Sequence, residues 1–273
     1  MTLRRLLPPL LCLLLLTGCA APEENGPLSN TPPAAGEAAD RVTLYAYDGE
    51  TVTARRVADR ETGEAVAAAL AAVSAPQSEE WTADRTELPV YAVELRGQDD
   101  QIIRGAWSGG YWVTEEGTAF RFDLDFSALE TTYAWREAKT YPSVTALPCA
   151  CALFRCQDGW RGDLLTPAGP LTPAEGIAMA VTALEDGQLC AVLRNETGEG
   201  YTYGESFSLH VLLDGVWRDV PPRSDLLFNL IGRPLPAGAE RDVRFDIGFH
   251  YGDLPAGHYR VVICDDIAGE FDI

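Results

Sequence analysis

Histidine is scarce in this chain, with three among 273 residues. The three stand apart, at His210, His250 and His258. No His-x-Glu-x-x-His spacing for a metal-dependent hydrolase can be built from them. A Gly-x-Ser-x-Gly elbow is absent, as is a glycine-rich phosphate loop, and no serine is singled out as a nucleophile. There is no Cys-x-x-Cys pair. These absences leave no catalytic residue to name, no metal and no cofactor to expect, and argue against an envelope hydrolase. Basic charge is also short: 21 Lys and Arg face 41 Asp and Glu, a formal charge of −20. Such a body repels nucleic acid and anionic headgroups, so no nucleic-acid partner is expected. The acids cluster at Asp99-Asp100, Glu115-Glu116, Asp123/Asp125 and Asp265-Asp266. None fits a calcium-loop pattern, which needs six to eight convergent oxygens. Beyond Leu16 no stretch approaches the run of roughly 18 apolar residues that a spanning helix requires.

What is present begins at the N-terminus. Arg4 and Arg5 precede an apolar run from Leu6 to Leu16, interrupted by Pro8 and Pro9. The run is too short to span a bilayer, which takes about 20 residues, and has the form of a signal segment. It ends in Leu16-Thr17-Gly18-Cys19. That tetrad resembles a bacterial lipobox, which implies a signal peptide over 1–18 and a membrane partner held through lipid on Cys19. Two or more acyl chains, at about 0.8 kcal/mol per buried methylene, would anchor the chain stably. Loss of Arg4 and Arg5 leaves 19 basic against 41 acidic residues, a formal charge of −22. Residues 19–40 are rich in Ala, Pro, Gly, Asn and Glu without apolar period and read as a disordered tether. A flexible tether of that length spans about 25 Å r.m.s..

Residues 41–157 read as a small α+β module with an antiparallel sheet. Val42 to Tyr47 and Thr51 to Val57 flank the Asp48-Gly49 turn. Val66, Leu70 and Val73 sit at i, i+4 and i+7, which predicts a helix over 61–73. Alternation predicts strands at 91–95, 102–107 and 111–114. Phe120, Phe122, Leu124 and Phe126 predict one half-buried strand, 127–135 a short helix, and 143–156 a further strand.

The Gly- and Pro-containing stretch 158–174 reads as a linker. From 175 to 273 the pattern is all-β, with turns every 8–12 residues and no helix, the mark of an antiparallel sandwich. Within it, Leu193-Arg-Asn-Glu-Thr, Tyr201-Thr-Tyr-Gly-Glu, Asp214-Gly-Val-Trp217, Leu235-Pro-Ala-Gly and Tyr251-Gly-Asp-Leu-Pro-Ala-Gly-His-Tyr-Arg-Val carry a likeness. Residues 176–264 resemble a bacterial immunoglobulin-like domain of surface lipoproteins. The resemblance implies a β-sandwich attached to secreted or anchored proteins, and no catalytic residues. The fold class expected for the whole is therefore mixed: an α+β module followed by an immunoglobulin-like sandwich.

Of seven cysteines, Cys12 leaves with the signal and Cys19 takes the lipid. The remaining five are an odd number, which fits small buried hydrophobes better than a disulfide framework. In a strand Cys149 and Cys151 would share a face, with Cys156 opposite and too far to join them at one metal. Strand parity turns Cys190 and Cys264 outward, away from an inter-sheet disulfide, and puts His210 on a polar face. Trp107, Tyr111 and Trp112 flank the Ser108-Gly109-Gly110 turn. They are candidate contacts for a glycan or peptide, or else cross-strand packing. The function expected is non-catalytic binding or scaffolding by a lipid-anchored protein at the bacterial cell envelope, with an envelope protein or glycan as partner. A ligand-binding lipoprotein using the N-terminal module is the alternative.

Overall fold

The computed structural model describes residues 28–29, 39–73, 78–97, 102–223, 228 and 231–273. The signal segment and Cys19 lie outside the described residues. The chain is mostly β, with antiparallel sheets and few helices.

The first unit is a nine-stranded sheet. Its strands are β1 (Leu28–Ser29), β2 (Ala39–Tyr47), β3 (Val52–Arg56), β4 (Ser78–Glu80), β5 (Val90–Gly97), β6 (Ile102–Ser108), β7 (Tyr111–Val113), β8 (Thr118–Arg121) and β9 (Lys139–Tyr141). They run in the order β4-β8-β7-β6-β5-β2-β3-β9. β1 adds to β6 in parallel, Leu28 opposite Ile102. The tether reading is thus corrected at two places, Leu28–Ser29 and Ala39–Asp40, which are strand. Backbone N–H and C=O groups at a sheet margin pair regardless of side-chain composition.

Both faces of this sheet are covered. On one lies α1 (Arg60–Ala71), capped by Asp59, whose carboxylate accepts from Thr62 N at 2.8 Å. Its buried Val66, Ala67 and Leu70 meet Val42, Leu44, Val93 and Leu95 of the sheet. Burying a Val or Leu side chain stabilises by about 1.5–3 kcal/mol, more than the helix's own propensity supplies. α2 (Phe126–Thr132) covers the same face. The strand predicted through Phe126 stops at Arg121, because Asp125 caps α2 by accepting from Ser127 N and Ala128 N.

The other face meets the stretch predicted as a strand over 143–156. That prediction is overturned. Val144–Ala146 is a 3-10 turn and Ala150–Phe154 is helix α3, with Cys149 left-handed at φ 61. Pro142 and Pro148 remove N–H donors that a ladder would need, and α3 is buried along all five residues, so no period was visible. The short hairpin β10 (Arg155–Cys156) and β11 (Gly159–Trp160) follows. Within the stretch read as a linker, Trp160, Leu164 and Leu165 are core residues.

The second unit is a sandwich. One sheet orders β12 (Ile177–Glu185), β13 (Gln188–Asn195) and β18 (Glu240–Asp246). The other orders β16 (Val216–Asp219), β15 (Phe207–Leu213), β19 (His258–Ile263) and β20 (Ile267–Asp272). β14 (Tyr201–Tyr203) and β17 (Arg233–Leu235) form a small third sheet. Asp186-Gly187 and Asp214-Gly215 make hairpin turns, all four residues at positive φ. One helical turn went unpredicted: α4 (Ile247–Tyr251), capped by Asp246 where the alternation of Val243 and Phe245 ends.

A single apolar core runs from the first sheet through α3 into the sandwich, taking in Tyr47, Val90, Phe154, Trp160, Leu209, Tyr251 and Tyr259. Polar bonds cross the same boundary. Tyr47 Oη donates to Leu164 O at 2.8 Å, Trp160 Nε1 to Tyr259 Oη at 3.0 Å, and Arg155 Nη1 to Asp253 O at 3.0 Å.

Candidate functional site

The three aromatics expected at one contact surface are split by register. Trp107 on β6 pairs with Trp112 on β7, whereas Tyr111 pairs with Ser108. Adjacent residues of a strand point to opposite faces, so Tyr111 cannot join Trp112. Trp112 has no solvent exposure; its ring packs on Phe122 in the helix-side core. Trp107 donates from Nε1 to Phe122 O at 2.8 Å and packs between Tyr91 and Phe126. Only Tyr111 reaches the other face. There its ring has the Arg85 guanidinium at 4.2 Å, the Arg121 guanidinium at 5.5 Å and the Trp81 ring at 5.9 Å. The expectation that Trp107, Tyr111 and Trp112 present one platform is corrected on this parity.

A polar cluster lies where the two units meet. His210 was expected on the polar face of its strand, and it is on that face, yet buried. His210 Nδ1 accepts from Arg260 Nε at 3.0 Å. Its Nε2 faces Ser208 Oγ at 3.3 Å and Asp219 Oδ1 at 3.4 Å. Asp219 Oδ2 accepts from Ser143 Oγ at 2.5 Å, across the unit boundary, and from Thr166 Oγ1 at 3.4 Å. The Arg260 guanidinium stacks on Trp217 at 4.5 Å. Burial, and then the Arg260 charge, push the His210 imidazole down to about 4. Burial pushes Asp219 up, against the pull of its hydroxyl donors.

This is not a hydrolytic relay. A serine relay sets the nucleophile and the carboxylate on opposite ring nitrogens of the histidine. Here Ser208 and Asp219 share Nε2, and the Nδ1 lone pair is held by a donor that never releases its proton. The arrangement joins two units; it has no free base. Asp219, Ser143, Thr166 and Arg260 were not anticipated. The alternation that set His210 and Arg260 on one outer face was the available signal, since the two are direct cross-strand partners.

The five cysteines expected to be mostly free are all unpaired thiols. Burial holds Cys149 well above the usual thiol range and Cys151 at about 11. Cys264 is exposed at a left-handed turn. A maleimide titration of the mature protein should therefore label Cys264 first and leave Cys149 and Cys151 unlabelled until denaturant is added. Fast native labelling of Cys151 would show that α3 is not packed as described. Among the described residues no group of three or more His, Cys, Asp or Glu is arranged to hold a metal ion.

One concave surface flanks the sandwich. A cavity of about 470 Å³ runs along β18 from Arg241 to Asp246, with Phe207, Phe245 and His250 at one end and Arg233 at the other. Among the described residues no strand pairs with the outer edge of β18. An open strand edge beside a groove suits an extended chain rather than a small reactant.

Residues 177–270 match the family model described as a bacterial Ig-like domain. The match covers the sandwich from β12 to β20 and agrees with the resemblance read from residues 176–264. A search of the curated proteins and of the solved structures finds no match to the chain. A bacterial Ig-like domain points to a cell-surface or binding role. No helix among the described residues is long and apolar enough to cross a membrane.

Proposed function

We propose that this chain is a lipid-anchored bacterial cell-surface protein with a non-catalytic binding or scaffolding role at the envelope. The observation that carries the reading is the Ig-like sandwich, whose His210, Asp219 and Arg260 cluster is tied to the N-terminal unit by the Ser143–Asp219 bond instead of opening to a substrate. The N-terminal unit, an α+β module in this reading, shares the sandwich's core and would be displayed with it as one body. The signal pattern before Cys19 supports the anchor, and the acidic surface keeps the displayed body solvated. The groove along β18 is the surface this reading offers to an envelope protein or glycan.

The test is cell fractionation of the full-length chain. Cys19→Ala should move it from the membrane pellet to the soluble fraction, a near-complete shift, because no helix among the described residues is long and apolar enough to cross a membrane. A pellet fraction unchanged by Cys19→Ala would overturn the anchor.

A further inference from the structure

Four arginines converge on one small pocket in this strongly acidic chain. Arg41 of β2, Arg56 at the end of β3, Arg60 opening α1, and Arg136 line a cavity of about 310 Å³. Arg136 is fixed there: its N donates to Arg56 O at 2.7 Å, and its Nε and Nη2 reach Ala58 O at 3.4 and 3.3 Å. Arg60 Nε pairs with Glu64 at 2.7 Å. Among the described residues Arg41 and Arg56 have no ion-pair partner. The one carboxylate in the lining is Asp59, which accepts from Thr62 N as the helix cap. Glu61 lies in the first turn of α1 beyond it. Glu64 balances Arg60, and the guanidinium groups of Arg41, Arg56 and Arg136 against Asp59 leave the pocket positively charged, which suits an anion.

The pocket has a definite position relative to the anchor. Leu28 pairs with Ile102 at the start of β6, Ile102 pairs with Arg96 near the end of β5, and Arg96 pairs with Arg41 near the start of β2. The chain arriving from Cys19 therefore joins the fold at the end of the sheet that carries Arg41. From Cys19 to Leu28 the extended reach is at most about 30 Å, at 3.3–3.6 Å per residue. That end of the protein is the one held nearest the headgroups.

We infer that Arg41, Arg56, Arg60 and Arg136 form a binding site for a phosphate group at the membrane-facing end of the protein. The orientation rests on the lipid-anchor reading above; the anion site rests on the pocket alone. Guanidinium groups are planar forks that match phosphate oxygens two at a time, which suits them to this ligand better than to a carboxylate-free glycan. The volume lies at the small end of ligand pockets, about 300–1,000 Å³. The acidity of the rest of the body does not cancel the site. Repulsion from distant carboxylates is screened over about 8 Å at physiological salt, so at contact the nearby cations Arg41, Arg56 and Arg136 dominate.

The phosphate can come from a lipid headgroup or from a soluble phosphate ester, and the experiment separates them. The chain from residue 20 onward contains every described residue and carries no lipid. It is pelleted with phosphatidylcholine vesicles with and without phosphatidylglycerol, and titrated with glycerol phosphate by calorimetry. The expected result is binding to both probes, lowered about tenfold or more by Arg41→Glu with Arg56→Glu and unchanged by Arg121→Glu with Arg194→Glu, two exposed arginines outside both cavities. Binding of glycerol phosphate without vesicle binding keeps the site and removes the lipid as its source. Binding of neither, or loss in both double variants alike, overturns the site. Arg41 and Arg56 are exposed, so the variant should keep the parent's unfolding midpoint; Arg41→Gln with Arg56→Gln replaces it if it does not. Because this chain lacks Cys19, its outcome is independent of the fractionation test of the anchor.

Discussion

Gly105→Ala should unfold the N-terminal sheet. A Cβ placed on Gly105 would lie 2.0 Å from Trp112 Cε2, 2.2 Å from Cζ2 and 2.3 Å from Nε1. The indole cannot step aside, since it is fully buried with Phe122 at a ring distance of 5.3 Å. Overpacking usually costs about 1–3 kcal/mol, but an overlap this deep evicts the ring. Losing a buried tryptophan costs about 3–5 kcal/mol, a large share of the 5–15 kcal/mol by which domains are typically stable. The variant is expected to unfold at a much lower urea midpoint or to fail to accumulate. Gly198→Ala is the control: no atom lies within 4 Å of the added Cβ and the backbone is not left-handed, so its midpoint should move within about 0.5 kcal/mol. Gly105→Ala together with Trp112→Leu should recover part of the loss by vacating the space. If Gly105→Ala unfolds at the parent's midpoint, the packing of β6 on β7 described above is wrong.

Gly105 also shows where sequence reading succeeds and stops. The residue pattern placed β2, β3, β5 and β6 close to their true limits, although only β2 and β3 keep a less buried face and β5 and β6 are buried at most positions. Parity turned Cys190 and Cys264 away from the core, as found. The same rule, applied to Tyr111 and Trp112, would have separated them; grouping by proximity in sequence did not. The 143–156 stretch was illegible for another reason. Buried along its length between a sheet and a sandwich, α3 has neither a helical nor a strand period. His210 was legible by face but not by burial, since the Arg260 and Asp219 side chains that close on it come from the neighbouring strands β19 and β16. The arginine pocket draws on four residues spread from 41 to 136, which only the sheet brings together.

Asp219→Ala should destabilise both units together, by about 1–3 kcal/mol, the cost of leaving buried hydrogen-bonding partners unsatisfied. It would strip Ser143 and Thr166 of their acceptor and leave the buried Arg260 beside a neutral imidazole. Because one core spans the two units, tryptophan fluorescence and far-ultraviolet circular dichroism should report a single urea transition in parent and variant alike. Two separate transitions in the parent would show that the boundary is not cooperative. The same cluster makes stability depend on pH. Folded His210 stays neutral down to about pH 4, while in the unfolded chain it takes up a proton below about 6.5. Between those values the unfolded state binds more protons, so stability falls as pH falls, by on the order of 3 kcal/mol at about 1.4 kcal/mol per unit. Asp219 acts in the opposite direction near the acid end, since its raised carboxyl binds a proton more readily when folded. His210→Gln keeps an acceptor for Arg260 and a donor for Asp219 but cannot titrate. It should be less stable than the parent at pH 7, and the gap should narrow steadily toward pH 4.5. A gap of constant size across that range would mean that His210 titrates alike in the folded and unfolded chain, and that the Arg260 contact does not hold it neutral.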